Sequence, residues 1–339
     1  MGVQISGIVE RTPLEIESLA GKTTAIDAYN TLYQFLSSIR QPDGTPLMDV
    51  AGRVTSHLSG LFYRTSKFIE VGIMPVFVFD GKPPAFKNVT LEKREQIKSE
   101  AEKKLEEALT KGDVEQARKA AQATSRLTKE MVVEAKNLLD LMGIPVVQAP
   151  SEAEAQAAHM TKRGDAFATA SQDYDSLLFG SPKLIRNLTI TGRKKLPNKE
   201  TYTEVKPELI DLKKTLESLG LPQEKLIMLG ILIGTDFNNG GVKGIGPKKA
   251  LQLLQAKSVD AILTEIDFSP YDPQMILDFF LNPPVNDDYE IRWKKPDEEG
   301  IKRMMIDEHS FSEERVARVI GAITKKSPSG QKRLGSWLK

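Results

Sequence analysis

Residues 166–180 read AFATASQDYDSLLFG. The small and β-branched residues of Ala166–Ser171 predict a buried strand, and a second apolar group, Leu177-Leu178-Phe179, follows closely. Between the two stand Asp173 and Asp175, two carboxylates where the chain is about to re-enter the core. The pattern recurs upstream. TTAIDA (23–28) carries Asp27 at its end and PVFVFD (75–80) ends in Asp80. IPVVQ (144–148) is followed, after Ala149-Pro150, by Glu152 and Glu154. Helical patterns such as Asn30–Ile39 and Val54–Val71 separate these strands. Strands alternating with helices predict an α/β fold, a mostly parallel sheet covered on both faces. Ligands bind such sheets beyond the carboxyl ends of the strands, so all these acids are expected at one edge.

Each acid also has a plainer reading. Asp27 and Asp173 can each cap the helix that follows. Asp80-Gly81 is an ordinary turn dipeptide. Ser151-x-x-Glu154 has the form of a capping box, and Glu152 suits the first turn of a helix. Four separate strands each ending in acid are more than capping requires. Converging carboxylates repel one another and need a compensating cation.

The composition narrows which cation. The chain has no cysteine and three histidines, which leaves oxygen as the ligand atom. Oxygen-only sites select hard ions, Mg²⁺ or Mn²⁺. A cluster this acidic has room for two ions about 4 Å apart, the arrangement used to hydrolyse phosphodiesters. No Ser/His/Asp or Cys/His arrangement is recognisable, and such hydrolysis needs no covalent nucleophile. A lone D-x-D would say less, because sugar transferases and phosphatases also use it.

The chain has 339 residues, enough for one large domain or two ordinary ones. Hydrophobic residues make up 40% and charged residues 27%, the balance of a soluble globular protein. Lys+Arg (47) and Asp+Glu (46) nearly cancel, so any nucleic-acid surface must be a local basic patch. No stretch is long and apolar enough for a membrane span, and MGVQISGIVE lacks the regions of a secretory signal. The expectation is an intracellular protein, neither secreted nor membrane-bound. Met1-Gly2 with Ser6 fits the short myristoylation pattern, which also arises by chance.

Residues 91–111 (LEKREQIKSEAEKKLEEALTK) are helix formers charged almost all round, without a core-facing stripe. They predict a helical insertion that stands away from the sheet and returns through Met131–Met142. It is either a solvated hairpin or an arch beside the site. Lys87 and Arg94 lie at its base, close in sequence to Asp80. Leu184–Ile190 and Thr201–Val205, around the turn-rich TGRKKLPNKE, predict a β-hairpin. Residues 222–257 place GVKGIGPKKA (241–250) between two helices. Gly244, Gly246 and Pro247 form a tight turn opening a helix N-terminus, with Lys243, Lys248 and Lys249 adding charge. That arrangement suits phosphate and binds a duplex backbone without reading its sequence. Asp236, just before it, is a seventh candidate carboxylate.

Together the motifs TTAIDAYNTLYQF, PVFVFDGKPPAFK, APSEAEAQAA, ASQDYDSLLFG, LIGTDFNNGGVKGIGPKKA and QKRLGSWL, in that order, resemble the structure-specific 5′ nucleases. Among these, the flap endonucleases of archaeal type are most similar, over nearly the whole chain. The resemblance implies a PIN-like nuclease core divided as an N-terminal nuclease region (1–98), a helical arch (88–130) and an internal nuclease region (116–258). The internal region would include a helix–two-turn–helix element (222–257), with a C-terminal helical region (259–326) and a sliding-clamp-binding peptide (330–338) after it. It implies metal ligation by Asp27, Asp80, Glu152, Glu154, Asp173, Asp175 and Asp236, holding two Mg²⁺ ions with Mn²⁺ as a substitute. Lys87 and Arg94 would contact the scissile phosphate, and Tyr33 would stack on the displaced base. Gly2, Arg40, Thr55 and Arg64 would lie near the DNA. Lys243, Gly244, Gly246, Lys248 and Lys249 would hold the duplex together with a monovalent cation. Gln331, Leu334, Trp337 and Leu338 would enter a sliding clamp of the PCNA type, Leu338 standing where the family usually has an aromatic. The implied activity is cleavage at the base of 5′ flaps, with 5′–3′ exonuclease activity, by a protein monomeric on its own. The implied setting is Okazaki fragment maturation and long-patch base-excision repair, in the cytoplasm or nucleoid of an archaeal cell. A relative that cuts bubbles or four-way junctions, and a non-catalytic DNA-binding and clamp-recruiting factor, are the competing readings.

Overall fold

The apolar runs that precede the acids do form strands. In the computed structural model they are β2 (Thr23–Asp27), β3 (Met74–Phe79), β4 (Val146–Gln148) and β5 (Ala168–Ala170). The structure describes residues 2–41, 43–87, 126–190, 193–195 and 202–326, together with scattered positions between 96 and 124. β1 (Thr12–Pro13), β6 (Lys183–Arg186) and β9 (Glu208–Asp211) complete a seven-stranded sheet of order β1-β9-β6-β5-β2-β3-β4. From β6 to β4 all neighbours are parallel, as expected. β9 runs antiparallel to β6, and β1 antiparallel to β9.

The predicted hairpin is corrected. Its first strand, β6, is a member of the main sheet, with Leu184 opposite Ile210 of β9. The actual hairpin is a separate ribbon of β7 (Arg193–Lys195) and β8 (Tyr202–Glu204). Leu184 and Ile185 are fully buried, which places β6 beside β5 in the core rather than in a surface ribbon.

The strand order also locates a crevice. After β2 the chain adds β3 and then β4 on one side, and then returns to add β5 and β6 on the other. The order reverses between β2 and β5, and ligands of open α/β sheets bind at such a switch point, outside the strands' carboxyl ends. Asp27 ends β2 there, and Asp173 and Asp175 follow β5.

Helices cover both faces. On one side lie α1 (Ala28–Ser38), α2 (Ser56–Val71) and α3 (Lys129–Leu141), packed around Phe35, Phe62, Phe68 and Phe77. Each such fully buried side chain contributes about 1.5–3 kcal/mol relative to exposure. On the other side lie α4 (Ala153–Arg163), the short α5 (Asp175–Leu178), α6 (Leu212–Leu219), α7 (Gln223–Ile233) and α8 (Pro247–Ala256). Helix α7 is buried almost all round, from Leu226 through Leu232, and anchors the glycine-rich loop that follows it.

Candidate active site

Asp27 is both a cap and a site residue. Its Oδ1 accepts from the Asn30 N–H (2.9 Å) at the start of α1, so the plainer reading of this acid is correct as far as it goes. Asn30 then reaches across the switch point, where its Nδ2 donates to Asp173 Oδ2 (2.9 Å). Asp173 itself is not a cap, because the residue that opens α5 is Tyr174.

The capping box predicted at Ser151 and Glu154 does not form. Helix α4 opens at Glu152 without a side-chain cap of its own. Asp80 supplies the cap from a different strand, its Oδ1 accepting from the Ala153 N–H at 2.6 Å. Glu154 is thereby left to the site, where its Oε1 accepts from Ser171 Oγ (2.9 Å) and Ser176 Oγ (3.4 Å). Asp175 Oδ1 accepts from the Val3 N–H at 2.6 Å. Lys87, buried in the turn Ala85–Lys87, donates from Nζ to Glu152 Oε2 (2.6 Å) and lies 4.0 Å from Asp236 Oδ2.

The electrostatics tie these acids into one pocket. Burial pushes the Asp27 carboxyl up, and repulsion from Asp80, Asp173 and Glu152 adds to it. Burial, then Asp175, Asp27 and Asp173, raise Glu154. Asp80 is pushed up to about 6 by burial and Glu152, and Asp175 to about 8 by burial, Asp236 and Asp173. Every one of the seven predicted carboxylates thus takes part in at least one such repulsion. Burial opposes the Lys87 charge, yet Glu152 and Asp236 hold its ammonium above the usual range. Among the described residues, no three acidic or histidine side chains converge closely enough to hold a metal ion as they stand. What the pocket offers is oxygen donors short of positive charge, with one ammonium seated among them, and a hard divalent cation satisfies that deficit.

Two parts of the chain match family models: residues 1–101 the XPG N-terminal domain, and residues 143–236 the XPG I-region. Flap endonuclease 1 of Pyrococcus abyssi (strain GE5 / Orsay) is 58% identical over 338 residues, 99% of this chain and 98% of that one. This chain belongs to the flap endonuclease 1 family. The solved flap endonuclease-1 from Methanococcus jannaschii is 42% identical and superposes with a TM-score of 0.78 over 97% of this chain and 100% of the other. The catalytic core of Rad2, solved in complex with DNA substrate, is 26% identical, with a TM-score of 0.66 over 92% of this chain and 96% of that one. As a member of the flap endonuclease family this chain is a metal-dependent nuclease. Asp27 and Asp80 fall in the first matched segment and the other five acids in the second. No described helix is long and apolar enough to cross a membrane.

The remaining predicted residues of this flap endonuclease separate into groups. Gly2 packs directly against Asp173 and Asp175. Tyr33 stands 39% exposed on α1. The Arg40 guanidinium is committed to main chain, donating to Gly44 O (2.8 Å) and Leu36 O (3.1 Å), so it shapes the turn after α1. Thr55 is buried at the start of α2, and Arg64 is half-buried within it. Lys243, Lys248 and Lys249 are exposed. Gly244 takes φ +81°, a left-handed turn in which other residues are strained, and accepts from Lys249 Nζ at 3.3 Å. Gly246 opens α8 without a side-chain cap, with Pro247 in its first turn. Arg94 and the peptide residues Gln331, Leu334, Trp337 and Leu338 lie outside the described residues.

Asn30, Ser171 and the Val3 N–H were not anticipated. Asn30 follows Asp27 within the motif TTAIDAYN, where a polar side chain on the first turn of an otherwise apolar helix is a usable signal. A main-chain donor such as Val3 leaves no such trace.

Proposed function

We propose that this chain is a structure-specific 5′ flap endonuclease with 5′–3′ exonuclease activity. It cleaves at the base of the flap, with two Mg²⁺ ions held by Asp27, Asp80, Glu152, Glu154, Asp173, Asp175 and Asp236. The observation that carries the reading is the gathering of carboxylates from several strand ends around a buried Lys87, at the switch point of the sheet. A binding protein with no hydrolytic role gains nothing from a buried acidic pocket beside DNA phosphates.

When bound, Mg²⁺ supplies an acidified water and neutralises charge on the phosphoryl oxygens. The chain's own groups do the rest. Lys87, held by Glu152 and Asp236, is poised to donate to a non-bridging oxygen of the scissile phosphate. Asn30 and Val3 fix Asp173 and Asp175 in orientation. Hydrolysis forms the bond from water oxygen to phosphorus and breaks the bond to the leaving oxygen, which takes up a proton. The exposed glycine–lysine loop grips the duplex backbone, with a monovalent cation at its turn, so that the strand junction meets the acids. Arg94 assists Lys87, and Tyr33 stacks on the displaced base. The terminal peptide recruits a sliding clamp, which sets the enzyme to work in Okazaki fragment maturation and long-patch base-excision repair.

A panel of flap, bubble and four-way-junction DNA, with Mg²⁺ and with chelator, tests this. Preferred cleavage of the flap, abolished by chelator and by Asp173→Asn with flap binding retained, is the expected result. Preference for bubbles or junctions would assign the chain to another branch of the 5′ nucleases. Binding without cleavage in Mg²⁺ would make it a recruiting factor.

A further inference from the structure

Asp173 and Asp175 sit on a segment with little regular structure of its own. β5 ends at Ala170, and α5, only four residues long, begins at Asp175. Asn30 restrains this segment from the pocket side. From behind it is held by Arg186, the last residue of β6. Arg186 Nε donates to the Gln172 carbonyl at 3.0 Å, and Nη1 donates to the Tyr174 hydroxyl at 2.5 Å. The guanidinium also lies over the Tyr174 ring, 4.2 Å from its centroid. The ring is buried with Val3 and Ile5 in the core. Glu208 of β9 faces the same guanidinium at 4.0 Å and is itself paired with Arg11 at 3.5 Å.

These contacts bracket Asp173. One grips the residue before it and two grip the residue after it, and all come from a single planar group anchored on a core strand. We propose that Arg186 is a positioning residue for the carboxylates of Asp173 and Asp175, acting through the Gln172 carbonyl and the Tyr174 side chain. The proposal rests on the reading of these acids as metal ligands. A lysine here would supply one point charge and could not combine the carbonyl contact, the hydroxyl contact and the position over the ring, which need the guanidinium fork. Groups that orient metal ligands typically cost about 10–100-fold in metal affinity when removed.

The test uses the full-length protein with Arg186→Gln, Arg186→Lys and Tyr174→Phe. Two quantities are read: calorimetric binding of Mg²⁺ to the chelator-treated protein, and the Mg²⁺ concentration for half-maximal cleavage at saturating flap DNA. Both Arg186 variants are expected to weaken Mg²⁺ by about 10-fold or more in both measurements, with the KM for DNA within about twofold of the unaltered protein. Tyr174→Phe keeps the ring and loses the hydroxyl, and should show a smaller shift in the same direction. It also carries the test should Arg186→Gln fail to fold. Unchanged Mg²⁺ binding in folded Arg186→Gln or Tyr174→Phe would overturn the proposal. So would a raised DNA KM with Mg²⁺ binding intact, which would make Arg186 a DNA contact. Absence of Mg²⁺ binding by the unaltered protein would overturn the metal-ligand reading and the positioning role of Arg186 with it.

Discussion

The Val3 N–H donates to Asp175 Oδ1 at 2.6 Å, although 172 residues separate the two in sequence. The beginning of the chain is therefore a wall of the carboxylate pocket. Gly2 lies tighter still. A Cβ at that position would stand 2.7 Å from Asp173 Cβ and 2.9 Å from Asp175 Oδ1, so either the N-terminal segment or the acids must move. Misplacement of reacting groups by about 1 Å can cost on the order of 10²-fold in rate. Gly2→Ala should lose cleavage on that scale in a single-turnover flap assay. Gly7→Ala, whose Cβ would meet nothing within 4 Å, should keep it. Full activity in Gly2→Ala would show that the acids tolerate displacement and that this packing is incidental.

Lys87 places a positive charge in the pocket before any ion binds. Removing its ammonium takes away the cation that Glu152 and Asp236 hold and, in the proposed function, the donor to the scissile phosphate. Lys87→Ala should lower kcat by about 10²–10³-fold, as loss of one preorganised donor typically does. Mg²⁺ binding should remain. A variant that instead changes only the KM for DNA would place Lys87 in substrate binding.

The raised carboxyls give the metal-free protein an unusual pH profile. Asp80 and Asp175 titrate near 6 and 8 when folded, and near their ordinary value of 3.8 when unfolded. Between pH 4 and 8 the folded state therefore holds more protons than the unfolded state, and stability falls as pH rises. Asp43, Asp49, Asp267 and Asp287 are held low by hydrogen bonds, but they act only below their ordinary value and do not oppose this trend. Chelator-treated protein should thus melt at a lower temperature at pH 8.5 than at pH 6. Mg²⁺ should raise the melting temperature most at the higher pH, because it binds the ionised pocket and not the unfolded chain. Asp175→Asn should flatten the metal-free profile. A melting temperature that climbs steadily from pH 6 to 8.5 without metal would contradict the carboxylate repulsion described above.

The acids were legible because each lies within a few residues of a contiguous apolar strand, so local pattern and chemistry coincide. Asp236 was legible for a similar reason, its place between an apolar helix and a glycine-rich turn. Elements decided by distant partners were not legible. Helix α4 looked self-capped by Ser151 and Glu154, yet its cap comes from Asp80, 73 residues away from the donor Ala153. β1 and β9 are short and partly polar, and only the pairing of β9 with β6, and of β1 with β9, makes them strands. Leu184–Ile190 reads as one arm of a hairpin because its pattern fits a ribbon as well as a core strand until its neighbour β9 is known. Asn30, Val3 and Arg186 act on the acids through contacts that sequence separation conceals.

In the proposed function the glycine–lysine loop grips phosphate without touching the bond that breaks, so it should behave differently from the acidic pocket. Lys243 and Lys248 are exposed, and the first turn of α8 presents uncapped N–H groups beside them. Each phosphate that a lysine neutralises contributes about 0.9 to the slope of log affinity against log salt for duplex DNA. Lys243→Ala with Lys248→Ala should therefore weaken flap binding at moderate salt and lower the slope by up to about 2, if each meets one phosphate. Cleavage at saturating DNA should remain near that of the unaltered protein, because Lys87 and the seven carboxylates are undisturbed. Binding titrations at several salt concentrations, paired with single-turnover rates at saturation, separate the two effects. A loss of rate at saturation would mean that the loop also sets where the junction meets the acids. An unchanged slope would remove these lysines from the interface and leave the backbone N–H groups of α8 as its phosphate contacts.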